Sequence, residues 1–136
     1  MMKLYPLNEN DKFLIERARE VIMKNYIKSS KYNMTVATAL VSKAGKVHVG
    51  VNFENKVSAD TSICSEMAAI ARLIGHNEKK IATIVAVSED PAKPGEYKIM
   101  TPCGSCEEVI KKFGNPYVIV SDTDKVRAKN LYQCKE

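Results

Sequence analysis

Hydrophobic and polar positions follow two rhythms along this chain. From residue 8 to about 28, Leu14, Ala18, Val21 and Ile22 recur at helical spacing, and Asn8 and Asp11 suit an N-terminal cap. The rhythm changes at "TVATALVS" and "KVHVGVN", which predict two strands joined by a hairpin turn at "KAGK", with Gly45 in the turn. Residues 53–62 read as loop. "CSEMAAIARLIG" joins strong helix formers to Gly75, placed where a C-terminal capping glycine belongs. "IATIVAVS" is a β-branched run of the kind found in a buried central strand. Pro91, Pro94 and Gly95 predict an exposed, irregular loop over "EDPAKPGEYK". Pro102 suits the first turn of a helix that runs to Phe113 and stops at "GNP". "YVIVS" predicts a further buried strand, "DTDK" a turn, and residues 126–131 a last strand. The order α-β-β-α-β-α-β-(β) predicts one sheet with helices packed on both faces.

Composition narrows the class. The 136 residues, 45% hydrophobic and 27% charged, suit one globular domain over 1–136 with its own core. No apolar run has the length of a membrane span, and "MMKLYPLNENDK" lacks the apolar core and cleavage site of a signal peptide. The expected location is therefore cytoplasmic, with no membrane partner. There, cysteines bind metal or do chemistry more often than they form disulfides. The net charge of +5 is scattered over separate lysines, which read as solvated faces. A pI near 9.0 permits a polyanion partner, but no interleaving of aromatic and basic residues supports nucleic acid.

The chemistry centres on "TPCGSCEEV", residues 101–109. A C-x-x-C step by itself serves a redox dithiol, half of a structural zinc site, or part of a catalytic one. Its partners lie upstream. Cys64 stands at the start of the middle helix, and Cys103 and Cys106 at the start of the next. Each helix follows a strand, so both N-termini can converge at one edge of the sheet, where helix potential and free N–H groups favour thiolate. Three thiolates can hold a tetrahedral zinc with one position left for water, which is the catalytic arrangement. Glu66, two residues after Cys64, is near enough to reach that water. A redox pair would leave Cys64 and Glu66 without a role. A structural site closed by Cys134 is the other alternative, although Cys134 reads better as a spare thiol near the chain end. His48, inside a strand, and His76, after the glycine of a helix, read as structural or solvent-facing residues.

C-x-E followed by P-C-x-x-C resembles the zinc-deaminase signature. From roughly Phe13 to Leu131 the chain resembles the small cytidine deaminase family, with its blasticidin-S deaminase relatives. That resemblance implies a three-layer α/β/α cytidine-deaminase-like fold with a single mixed sheet. It implies one Zn2+ per chain on Cys64, Cys103 and Cys106, with Glu66 as the catalytic proton carrier. The implied reaction is hydrolytic deamination of a free cytosine nucleoside to the uracil nucleoside and ammonia, a step of pyrimidine salvage, in a homotetramer. "GVNFEN" resembles the N-x-E step that binds ribose hydroxyls, which assigns Asn52 and Glu54 to the sugar. Met34, in "MTVATAL", falls where the family lines the pocket near the sugar, and the backbone around Ser65 and Thr101 would contact the base. "VATA" is closer to the blasticidin-S branch, whose members lack the glutamate of N-x-E, so a modified cytosine compound is the alternative substrate. An inactive zinc-containing nucleic-acid-binding module is the alternative from another class.

Two departures from the family pattern bear on charge. Met67 and Glu107 occupy positions where arginines are usual, so helix dipoles, backbone donors or another residue must offset the thiolates. The 39-residue step from Cys64 to Cys103 is also a few residues long, which the "EDPAKPGEYK" segment accounts for.

Overall fold

A computed structural model describes residues 4–102, 104–121 and 126–129. In chain order these form β1 (Leu4–Pro6), α1 (Glu9–Asn25), β2 (Ile27–Lys28), β3 (Tyr32–Met34), β4 (Val36–Ser42), β5 (Val47–Val51), β6 (Glu54–Asn55), α2 (Ser65–Gly75), β7 (Ile81–Asp90), β8 (Lys93–Met100), α3 (Gly104–Ile110), β9 (Tyr117–Ser121) and β10 (Val126–Lys129). Short 3-10 turns lie at Ala59–Thr61 and Lys111–Phe113.

Seven strands make one sheet in the order β1-β10-β9-β7-β4-β5, with β8 paired to β7. Among the described residues only the β7–β9 pairing is parallel, with Thr83 opposite Tyr117 and Ile84 opposite Val118, so the sheet is mixed. The crossover between these two strands contains β8 and α3, consistent with the longer connection that parallel strands require. The strands β2, β3 and β6 form a separate small sheet.

Alternation along β4 distributes the core. Ala37 and Ala39 face α1, where Leu14, Ile15, Ala18, Val21 and Ile22 pack with Val85, Val87 and Ile119. Leu40 faces the other way, into a cluster with Ala69, Ile70 and Leu73 of α2, Cys106 and Ile110 of α3, and Ile84 and Val118 of the sheet. Helices therefore cover both faces. The tightest approach is at Gly50 on β5, where an added Cβ would collide with the Ala69 amide nitrogen and lie 2.7 Å from the Ser65 carbonyl oxygen. Those atoms are backbone and cannot yield, so the absence of a side chain at Gly50 sets how closely the start of α2 sits on the sheet.

The helices and long strands form where the hydrophobic pattern puts them, and Asn8 and Asp11 make a reciprocal capping box at the start of α1. Four expectations need correction. The segment "EDPAKPGEYK" is exposed but regular: β7 continues to Asp90, and β8 returns from Lys93 with Glu89 opposite Tyr97. Among the described residues β8 pairs with β7 alone, so Pro94 sits on an edge strand, where a missing N–H is tolerated. Gly75 is the last residue of α2, the C-cap is His76, and the left-handed conformation falls on Asn77 at φ 62°. Residues 53–62, read as loop, include β6 and a 3-10 turn, whose backbone groups are satisfied against β3 and by the Phe53–Ile63 bridge. The first helix ends at Asn25, short of Lys28, which belongs to β2. Of the last expected strand, Val126–Lys129 is present; "DTDK", Leu131 and Cys134 lie outside the described residues.

Candidate active site

Cys64 is the N-cap of α2. Its backbone is extended (φ −80°, ψ 160°), and its Sγ accepts a hydrogen bond from the Met67 N–H at 3.4 Å. A cysteine in this position offers sulfur to the free amides of the first turn. The backbone of Met67, rather than a side chain at that position, supplies a donor.

Cys106 lies in α3 and is 4% exposed; Glu66, in the first turn of α2, is 7% exposed. The two Sγ atoms are 2.9 Å apart, beyond the roughly 2.05 Å of a disulfide, and both cysteines are free. Donor atoms of Cys64, Glu66 and Cys106 all lie within 4.8 Å of one another. Two soft sulfurs with a carboxylate beside them suit zinc far better than a hard oxygen-seeking cation, so the donor set fits the expected metal. Cys103 lies outside the described residues.

Glu66 is held by a short chain of hydroxyls. Ser65 Oγ donates to Glu66 Oε1 at 3.1 Å, and Thr38 Oγ1 lies 2.8 Å from Ser65 Oγ. With the Ser65 proton directed at the carboxylate, the Thr38 hydroxyl donates to Ser65, and the polar chain is satisfied from β4 to the acid. Thr38 and Ser65 are both buried. The carboxylate is thus fixed beside the sulfurs without an ion pair to a cationic side chain in this chain of contacts.

These groups open onto a cavity of about 360 Å³, walled further by Val36, Asn52, Ala86, Met100, Thr101 and Pro102. Among the sequence-derived substrate contacts, Asn52, Ser65 and Thr101 therefore line the same cavity as Cys64, Glu66 and Cys106. Asn52 is also a structural tie. Its Oδ1 accepts from the N–H groups of Thr35 (2.7 Å) and Val36 (3.0 Å), fixing the start of β4. Glu54 and Met34 are not among the residues that wall it. Glu54 is exposed and accepts a hydrogen bond from Asn33 Nδ2 at 2.7 Å; Met34 is half-buried on β3.

Thr38 is a part of the site that the pattern reading passed over, although a lone hydroxyl inside the apolar run "VATALV" was a usable signal. His48 and His76 are structural, as expected. His48 is buried and its Nε2–H donates to Glu78 Oε1 at 2.8 Å, while His76 Nδ1–H donates to the Arg72 carbonyl. The Ser42 hydroxyl and then the His48 ring hold Glu78 below the ordinary carboxylate range. A larger depression of about 440 Å³, on the α1 side, is bordered by Phe13, Val41, Val47 and Asp11. Asp11, the one acid among the described residues that line it, is engaged in the capping box.

Comparison with known proteins meets this geometry. Residues 8–122 match the cytidine and deoxycytidylate deaminase zinc-binding region. The chain belongs to this deaminase family. It is 30% identical over 95 residues to a probable cytidine deaminase of Dictyostelium discoideum, a match covering 70% of this chain and 60% of that protein. It is also 30% identical over 104 residues to a cytidine deaminase of Sporosarcina psychrophila, covering 75% of this chain and 68% of the relative. The fold matches the crystal structure of cytidine deaminase from Mycobacterium leprae with a TM-score of 0.70 at 21% identity, over 93% of this chain and 98% of that one. A second match, to the enzyme from Burkholderia pseudomallei, has a TM-score of 0.66 at 28% identity and covers 86% and 89% of the two chains. The three-layer deaminase architecture is thus the architecture of this chain, and the donor atoms of Cys64, Glu66 and Cys106 form one group able to hold a metal ion. No helix among the described residues is long and apolar enough to cross a membrane.

Proposed function

We propose that this protein is a zinc-dependent hydrolase that deaminates a cytosine nucleoside at C4, releasing ammonia and the uracil nucleoside. The observation that carries the reading is the convergence of Cys64, Cys106 and Glu66 on one cavity at the start of α2. Cys64 and Cys106, with Cys103 as third ligand, would hold a zinc ion, which would supply the Lewis acidity that makes water nucleophilic near neutral pH. Glu66 takes the proton that water gives up as its oxygen bonds to C4. The same carboxyl passes that proton to ring N3. It then takes the remaining proton from the C4 hydroxyl as the carbonyl forms and gives it to the amino group, which leaves as ammonia when the C4–N bond breaks. Ser65 keeps the carboxylate facing the reacting ring, because its hydroxyl is itself fixed by Thr38. Val36, Ala86 and Met100 give the ring apolar walls, while Asn52 and Thr101 place polar groups at its edge.

A modified cytosine compound of the blasticidin-S kind is the second reading, and one observation favours it. Glu54, which would bind a ribose hydroxyl, faces Asn33 instead of the cavity. Ammonia release from cytidine, deoxycytidine, cytosine and blasticidin S separates the readings. Cytidine and deoxycytidine should lead, and a clear lead for blasticidin S would transfer the assignment to the second reading. Stoichiometric zinc with no turnover of any of the four would leave a metal-stabilised binding module.

The working assembly is a homotetramer in the cytoplasm. Support for assembly comes from large apolar side chains left exposed on the single chain, among them Val57 at 82%, Met23 at 62% and Phe13 at 59%. Size-exclusion chromatography with light scattering tests it.

A further inference from the structure

The cavity at the metal centre does not end at Val36. That residue also lines a second cavity, of about 340 Å³, whose polar wall is Lys28, Asn33, Thr35, Ser88 and Glu89. Ala86 borders the first cavity and Ser88 the second. They are alternate residues of one strand, so they point to the same face about 6.8 Å apart, a step comparable to the length of a sugar. Val36 opposite Ser88 is also the outermost pairing between β4 and β7. Beyond it the β7–β8 hairpin runs on past the end of β4, and residues from both faces of the sheet meet in the space left there.

Glu89 is the fixed charge in this space. Its Oε1 accepts from the Tyr26 hydroxyl at 2.9 Å and its Oε2 from the Gly95 N–H at 3.0 Å, so helix α1's C-cap and the hairpin itself hold it. The Gly95 amide and then the Tyr26 hydroxyl lower its pKa, and Lys28 contributes in the same direction. A carboxylate carries about four lone-pair sites, so two bonds leave acceptor capacity for a donor in the cavity. Lys28 is exposed at the end of a long flexible stem, and among the described residues no hydrogen bond orders its ammonium. A phosphate reaching for Lys28 would meet the immobile carboxylate of Glu89 in the same wall.

We propose that the second cavity is a substrate subsite in which Glu89 favours cytosine compounds carrying a cationic group on the sugar side and disfavours anionic ones. The inference rests on the deaminase reading for the first cavity. It assigns a specificity role to the segment that lengthens the connection between the two cysteine motifs.

The test is a charge series differing only at the 5′ position: cytidine 5′-monophosphate, cytidine and 5′-amino-5′-deoxycytidine. In the zinc-loaded wild type, kcat/KM should rise in that order. The amine should exceed cytidine by about three- to fivefold, the scale of a part-exposed ion pair, and the advantage should shrink with added salt. Glu89→Gln should bring the amine-to-cytidine ratio close to one, and Lys28→Gln should raise it. An amine that is no better than cytidine in the wild type at low salt overturns the proposal, as does a ratio that Glu89→Gln leaves unchanged. Because Glu89 also ties the hairpin down, its variant is checked by thermal unfolding. Should it fail to fold, the wild-type series and Lys28→Gln still decide. Calorimetric binding of the three compounds separates the subsite from the deaminase reading. Tighter binding of the amine without turnover of cytidine would keep the subsite and reject deamination, whereas equal binding of all three would reject the subsite.

Discussion

Along β4, Ala37 and Ala39 enter one face of the sheet while Thr38 enters the other, and the two faces they join differ in kind. At the α1 face the centre is apolar: Leu14, Ile15, Ala18, Val21 and Ile22 pack on Val85, Val87 and Ile119. The α2 face buries Thr38, Ser65, Glu66 and His48 among its apolar residues. Each of these has a hydrogen-bond partner, and each partner is itself polar. A buried polar group without a partner costs about 1–3 kcal/mol, so such a face is tolerable only as a connected chain. The α1 face supplies stability with side chains that have no other task. The α2 face gives up some of that stability to hold a carboxylate beside two sulfurs.

The largest expected effects break the α2 face at its metal. Serine at Cys64 or Cys106 should reduce zinc from about one ion per chain to a small fraction and abolish turnover, as read by metal analysis beside ammonia release. Retention of the full metal content by either variant would remove that cysteine from the site. Next in size is Glu66→Gln, which keeps shape but cannot carry a proton. Its kcat should fall by about 10²–10⁴-fold while zinc stays bound. A near-normal rate would leave the proposed chemistry without its acid and base.

The other face should respond in the opposite sense. Ile22→Ala removes a fully buried side chain and should cost about 2–5 kcal/mol in denaturant unfolding, with kcat per folded molecule unchanged. A large drop in kcat for the folded variant would mean that the faces are coupled. Thr38→Val sharpens the contrast, since it is close to isosteric yet strips Ser65 of its partner. It should cost about 1–3 kcal/mol and lower kcat more than it raises KM, because Ser65 then has no fixed orientation towards Glu66.

The smallest effect is one of pH. The Ser42 hydroxyl and the His48 ring lower the pKa of Glu78 in the folded state, so its contribution to stability is present above the ordinary carboxylate value of 4.5 and fades as pH falls through the lowered value. Melting temperature should therefore drop across that acid window, and the drop should be shallower in Glu78→Gln. Identical slopes in the two proteins would show that other carboxylates govern acid stability.

Much of this arrangement is legible in the sequence because it is written in local terms. The apolar period fixes α1, and the β-branched runs fix β4, β7 and β9. Cys64 and Glu66 are read together from two positions at a helix start, where capping geometry dictates what each can reach. What escaped was set by tertiary context. Pro94 looks like a breaker until β8 is known to pair, among the described residues, with β7 alone. Glu54 sits in a motif suggesting the sugar, but the antiparallel pairing of β3 with β6 places it against Asn33. Thr38 gains its meaning only through Ser65, 27 residues away.

The pairing of β8 with β7 has a consequence for how such a protein could change over time. Ala86 opposite Met100 and Val87 opposite Ile99 clamp the base of the hairpin just before Thr101 and Pro102, so the entry to the second cysteine motif is set at the clamp. Extra length at the tip, around Pro91 and Ala92, is absorbed there in the way a drawer extends without moving the cabinet. Residues added in matched pairs, one per strand, would preserve which side chains face inward, whereas a single insertion must be taken up by a bulge. The hairpin tip is therefore a place where new recognition elements can be grafted while the reaction centre keeps its geometry.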